Sequence, residues 1–197
     1  MSQVAAVLLT GAAGMSGCER SSQTAREVAE LRTQVAALKL QAQATRDWTL
    51  IANLQATYGY FVDKMRWDDA ADLFTKNATL EIAGQGLFEG QDRIRTYLHA
   101  LGKLEHGTLF NHVQLQPVIH IGPDGLAAEA RWRTFTQVGP IGKEARWGEA
   151  TYENAYVKED GIWKISKLHG YITDYVAKHK NPVSGATAGL PELQKGK

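Results

Sequence analysis

A single cysteine, Cys18, stands in 197 residues. That excludes an intramolecular disulfide and leaves no cysteine cluster to hold zinc. An excess of one charge is also missing. The 22 Lys and Arg are scattered among 21 Asp and Glu, for a formal net charge of +1, so the basic footprint of a nucleic-acid binder is absent. No apolar run approaches the roughly 20 residues of a membrane-spanning helix. No tight ligand spacing of the H-x-E-x-H kind occurs, and neither a metal nor another cofactor is expected. What remains is ordinary for one soluble globular domain with extensions: 44% hydrophobic and 22% charged residues.

The extensions come first. "VAAVLLTGAAGMSGC" is a short apolar run that drifts into small residues and ends at Cys18, the shape of a secretory signal and its cleavage site. It resembles the bacterial lipoprotein signal, in which a cysteine after small residues is lipidated. Met15 stands where leucine is usual, and "MSQ" lacks the usual Lys or Arg. The expectation is lipidation at Cys18 and an exported, periplasmic or outer-membrane lipid-anchored protein. The alternative is a frayed apolar N-terminus with a free thiol. Beyond the spacer "ERSSQT", apolar residues recur at Val28, Leu31, Val35, Leu38 and Ala42. Steps of three and four make a heptad seam of about two and a half repeats. Valine at a, leucine at d, Glu27 at g and Arg32 at the next e suit a parallel dimer. A homo-oligomer, dimer or trimer, is expected; the alternative is one amphipathic helix used as a spacer. The organisation read from the chain is therefore a signal at 1–18, a spacer and short coiled-coil helix at 19–45, a domain at 46–178 and a polar tail at 179–197.

Within the domain, Asp47 is placed to cap a helix whose apolar positions are Leu50, Ile51, Leu54, Tyr58, Phe61, Val62 and Met65. Asp68 or Asp69 is placed to cap a second helix ahead of the strand-like "ATLEIAG". "GLFEG" reads as extended, and "QDRIRTYLHALG" as a helix stopped at Gly102. Four long strands are predicted, at 108–121, 126–138, 145–158 and 162–175, separated by "GPDG", "GPIGK" and "KEDG" turns. Helices followed by a strand meander imply an α+β domain with an antiparallel sheet. A strand of about 13 residues spans roughly 43 Å, too long to stay flat. The sheet is expected to curl into a cone, with helices across its concave face enclosing an apolar pocket.

Three stretches then carry a resemblance. "DWTLIANLQATYGYFVDKMRWDDAADLFTKNATLEIAGQGLFEGQDRIRTYL", "LFNHVQLQPVIHIGPDGLAAEARWRTF" and "RWGEATYENAYVKEDGIWKISKLHGY" resemble SnoaL-like members of the nuclear transport factor 2-like superfamily, over residues 46–175. The resemblance implies the cone-shaped fold. It also implies a class that includes scytalone dehydratase, ketosteroid isomerase, bile-acid dehydratase, polyketide cyclases and formaldehyde-releasing lyases of lignin-derived compounds, together with non-enzymatic binding and assembly domains. On that basis Tyr58 and Asp63 match the tyrosine and aspartate that dehydratase-like members carry at the end of the first helix, and His112 matches their strand histidine. The implied activity is a lyase, or an isomerase, acting on a hydrophobic hydroxylated small molecule. His112 and Asp63 would be base and orienter, with Tyr58 on the oxygen. The second histidine or acid of those relatives is absent, and Arg131 and Arg133 stand in its place.

Other residues expected to line a substrate pocket are Tyr60 (an alternative to Tyr58), Trp67, Arg133, Trp147, Glu149 and Asn154. From helical spacing alone Asp63 falls off the apolar stripe, beside Ala52, Ala56 and Gly59, which suits either an exposed charge or a face closely approached by another layer. Strict alternation puts Phe110, His112, Gln114, Gln116, Val118 and His120 on one face of their strand.

Overall fold

The structure, a computed structural model, describes residues 17–103, 105–173 and 179–180. Residues 1–16 of the signal read at 1–18 and residues 181–197 of the tail read at 179–197 lie outside the described residues, and Cys18 is described only as part of a helix. The chain divides into two compact units, Met1–Gln43 and Ala44–Lys197.

Helix α1 (Gly17–Asp63) is 47 residues long, so the helix start expected at Asp47 is not found. No glycine or proline stands between Gly17 and Gly59, and "QAQAT" before Asp47 is made largely of good helix formers, so nothing stops the first turn from running into the next. Asp47 is instead a buried residue. It accepts a hydrogen bond from Trp163 Nε1 at 2.9 Å and an ion pair from Lys158 Nζ at 2.7 Å. Helix α2 (Trp67–Asp72) has Arg66 at its N-cap position, with no side-chain capping bond. Asp68 and Asp69 stand in its first turn, where the helix dipole favours them, and they pair with Arg95 and Arg66.

There follow β1 (Phe74–Ile82), β2 (Gly86–Glu89), α3 (Gln91–Ala100), β3 (Leu109–Ile121), β4 (Ala127–Gly139), β5 (Glu144–Glu159), β6 (Ile162–Thr173) and β7 (His179–Lys180). The main sheet runs β2-β1-β6-β5-β4-β3, and β7 pairs with β5. Every pair is antiparallel except β1 with β6. That parallel pair arises because the returning meander lays its last strand beside the first hairpin. Register shifts interrupt β1, β3 and the β5–β6 ladder; such bulges bend and twist long strands, giving the curled α+β cone expected.

The bulge in β3 also corrects the strand's faces. The ladder passes from Leu115↔Arg133 to Val118↔Arg131, so β3 carries one extra residue, and Gln116 there has φ 48°. Alternation reverses across it. Phe110 before the bulge and Ile119 and Ile121 after it all pack on the core, while Val118 and His120 face outward.

The core lies between the sheet and the helices: Ile51, Tyr58 and Val62 of α1, Trp67 and Ala71 of α2, and Ile94 and Leu98 of α3 meet Phe74, Leu80, Trp132, Tyr156 and Leu168. Part of it is polar. Gln55 Oε1 accepts from the Tyr156 hydroxyl (2.7 Å) and Asn154 Nδ2 (3.0 Å), Gln55 Nε2 donates to Gln114 (2.9 Å), and Trp132 Nε1 donates to Tyr156 (2.8 Å).

Removing one member of a buried ion pair strands the other charge. Asp47→Ala leaves Lys158 and the Trp163 N–H without this acceptor and should cost about 3–5 kcal/mol in urea unfolding. Asp47→Asn, which keeps an acceptor for Trp163, should cost less. Equal stability of wild type and Asp47→Ala would show that the pair contributes nothing.

Candidate functional site

The open part of the cone is a cavity of about 500 Å³. The end of α1 supplies Tyr58 and Val62, β3 supplies Phe110 and His112, β4 supplies Thr134, Thr136 and Val138, and β5 supplies Ala150 and Tyr152. Ile82, Gln85, Tyr97, Leu98 and Leu101 close another side. These positions follow from strand parity: Thr136 is the ladder partner of His112, and Tyr152 lies on the same inward face of β5 as Ala150.

His112 is the polar centre of this space. Its ring is buried, with Nδ1 3.3 Å from Thr136 Oγ1 and Nε2 3.2 Å from the Tyr152 hydroxyl. Each hydroxyl can donate or accept, so either neutral tautomer is satisfied. Burial lowers the pKa of His112 to about 4, and the imidazole is neutral near pH 7. Tyr58 packs edge-on to it, ring centroids 6.1 Å apart. Burial raises the phenols of Tyr58 and Tyr152 well above the usual tyrosine range and pushes Tyr97 up to about 12. All three stay protonated as hydroxyl donors.

The expected partnership between Asp63 and the His112 ring is not the one made. The Asp63 carboxylate accepts a hydrogen bond from the backbone N–H of His112. Partial burial raises its pKa, with that N–H and Lys64 opposing the shift. The small residues beside Asp63 do admit a second layer. At Gly59 a Cβ would come within 2.9 Å of the His112 carbonyl oxygen and 3.0 Å of Gln114 Cγ. Only glycine lets α1 lie this close to β3, and that approach delivers Asp63 to the strand.

The remaining predicted residues divide. Trp147 lines the cavity with Tyr58 and His112 and packs on Phe135 at 5.1 Å between centroids, whereas Glu149 stands at the cavity's border with its carboxylate turned to Arg133. Tyr60 does not: it is 69% exposed, turned away because it stands two helical positions from Tyr58. Trp67 is core, donating Nε1–H to the Gly102 carbonyl at 2.7 Å. Arg133 lies on the solvent side of β4 and pairs with Glu149 at 2.9 Å, as Arg131 pairs with Glu153. Asn154 belongs to the buried Gln55 network and does not reach the cavity. Sequence reasoning gave no role to Thr136 and counted Tyr152 only among the aromatic residues that the strands supply to the pocket, yet these two groups touch the imidazole. Tyr152 lies 40 residues from His112, and only the strand pairing could have joined them.

A family model for the SnoaL-like domain matches residues 43–169. No curated protein matches the sequence. Among solved structures, the chain is similar to a candidate scytalone dehydratase from Novosphingobium aromaticivorans, 19% identical with a TM-score of 0.61 over 75% of this chain and 99% of that one. A type 3 hexachlorocyclohexane dehydrochlorinase from Novosphingobium barchaimii is 18% identical with a TM-score of 0.61, over 71% and 94% of the two chains. A nuclear transport factor 2-like protein with a cystatin-like fold from N. aromaticivorans is 15% identical with a TM-score of 0.60, over 71% and 90%. At such identities these likenesses establish the fold.

The depressed pKa of His112 has a signature in stability. Between its folded value of about 4 and the ordinary unfolded value near 6.5, the unfolded chain binds a proton that the folded chain does not. The histidine's contribution is therefore complete above about pH 6.5 and is lost as the pH falls toward 4, by roughly 3 kcal/mol in all. The stability difference between wild type and His112→Phe should shrink by that amount over this window, and the imidazole ¹⁵N shifts should stay those of a neutral ring through pH 5. A ring that titrates near 6.5 would contradict the burial described here.

Proposed function

The chain belongs to the SnoaL-like domain family, and we propose that it is a cofactor-independent lyase of the dehydratase or formaldehyde-releasing type. Its substrate would be a hydrophobic, aromatic or polycyclic hydroxylated small molecule. The observation that supports this best is a neutral imidazole, held between two hydroxyl groups, facing an otherwise largely apolar cavity. In an elimination, His112 takes a proton from the carbon next to the carbinol, the electron pair forms the double bond, and the hydroxyl leaves as water with the proton returned by the imidazolium. General acid–base help of this kind contributes about 10²–10⁴-fold. Tyr152 and Tyr58 hold the substrate oxygen as neutral donors. Asp63 acts as a positioning residue, fixing the β3 backbone at His112.

One observation favours a second reading. The His112 ring touches hydroxyl groups and no carboxylate, an arrangement that also suits a protein that binds an apolar ligand and leaves it unchanged. In either reading the export-like run ending at Cys18 supports a lipid-anchored placement.

Incubating the full chain with a panel of hydroxylated aromatic and polycyclic compounds, followed by liquid chromatography and mass spectrometry, separates the two. Loss of water or formaldehyde is expected with wild type. It should fall about 10²–10⁴-fold in His112→Ala, fall less in Tyr152→Phe and Asp63→Asn, and persist in Tyr60→Phe. Compounds retained but unchanged would establish the binding reading. Turnover undiminished in His112→Ala would remove His112 from the chemistry.

A further inference from the structure

The heptad stretch plays no part in the cavity. Every residue from 20 to 43 is exposed, including Val28 (40%), Leu31 (57%), Val35 (48%) and Leu38 (61%). With Ala42 these make one stripe along α1 at alternating steps of three and four. A long stretch of helix that buries no face is unusual, because most helix stability in proteins comes from packing an apolar face. Side-chain bonds along this stretch include i,i+4 contacts such as Gln23 to Glu27 at 3.1 Å, each worth only a few tenths of a kcal/mol.

We infer that the stripe is the seam of a parallel, in-register coiled coil with a second copy of this chain. Three features select that occupant. A partner that fills a seam of a/d spacing must repeat the same spacing, and a second copy does so at every layer. Valine at a (Val28, Val35) with leucine at d (Leu31, Leu38) is the combination that favours two parallel strands. Charge gives the orientation. In a parallel pair each g residue faces the e residue five positions on in the partner, so Glu27 of each helix meets Arg32 of the other, and Arg32 has no ion pair among the described residues. An antiparallel pair on the same seam sets e against e, bringing Arg32 toward Lys39, two like charges. A membrane surface fits less well, because the polar faces mix Glu27 and Glu30 with Arg26, Arg32 and Lys39 and lack the basic bias of interfacial helices. Parallel pairing would also bring both copies of Cys18 to one end, so that two lipid anchors enter one surface.

The test uses the full chain carrying Cys18→Ser, which blocks lipidation and removes the only thiol. By analytical ultracentrifugation it should sediment as a dimer. Adding Leu31→Lys and Leu38→Lys should convert it to a monomer with the domain's unfolding transition unchanged. Val28→Cys in the same background should oxidise to a disulfide-linked dimer, since a-position residues meet only in a parallel, in-register pair. Arg32→Glu should weaken the dimer several-fold at low salt, and Glu27→Arg with Arg32→Glu should restore it. A monomeric parent, or a dimer that survives the two lysines, would overturn the proposal. A dimer in which Val28→Cys fails to cross-link would overturn its parallel register.

Discussion

The close approach of α1 to β3 at Gly59 is the constraint on which the site rests. A side chain there would run into the His112 carbonyl and Gln114, so the helix could not lie against the strand. Two results follow from that one missing Cβ. Tyr58, the preceding residue, turns its ring edge toward His112. Asp63, one helical turn beyond, ends the helix within reach of the His112 N–H. The strand segment bearing the imidazole is thus held by a ladder on one edge and by the helix on its face. A ring is aimed only as well as its backbone is fixed.

The interior is divided by how its polar groups are satisfied. Asp47, Lys158 and Trp163 form one bonded set, and Gln55, Gln114, Asn154, Tyr156 and Trp132 form another, in which Asn154 Oδ1 is left without a partner among the described residues. Polar groups bonded to one another in this way fill the space they occupy and leave little for a ligand to recognise. Around His112 the partners are hydroxyls, which rotate and can exchange a protein partner for a substrate atom. The difference in chemistry explains why one region of the cone is structural and the other is a cavity.

Much of this was legible in the chain. The four long strands and their turns were marked by alternating apolar residues and by glycine and proline at the breaks, and the observed ends differ from the expected ones by no more than two residues. Tyr58, His112 and Trp147 do line the cavity. The failures have physical causes. A capping residue is informative only where a helix must begin, and with no breaker before it Asp47 became an interior anion. Alternation along β3 held until Gln116, where one extra residue exchanged its faces, and no pattern of side chains announces a bulge. The pairing of Asp63 with the imidazole came from the family resemblance, whereas the bond made is to the His112 backbone, which residue type does not encode. Tyr60 and Trp67 are aromatic and stand near the right helix end, but a ring's direction depends on which side of the helix it leaves.

The neutrality of His112 narrows the chemistry that suits it. An imidazole whose conjugate acid has a pKa of about 4 is a weak base toward an isolated proton, because the cavity disfavours a lone cation. Proton transfer from a bound substrate creates the imidazolium together with a substrate anion, and in a low-dielectric space the two attract strongly enough to offset much of that cost. The offset is largest when the anion forms close to the ring and is delocalised onto an oxygen that Tyr152 or Tyr58 can reach as a donor. A substrate whose proton lies beside a carbonyl, or on a carbon conjugated to an aromatic ring bearing oxygen, meets both conditions. An unactivated alcohol meets neither. In the proposed lyase, the low basicity of the free histidine would therefore act as a filter, favouring substrates that bring their own means of stabilising the charge.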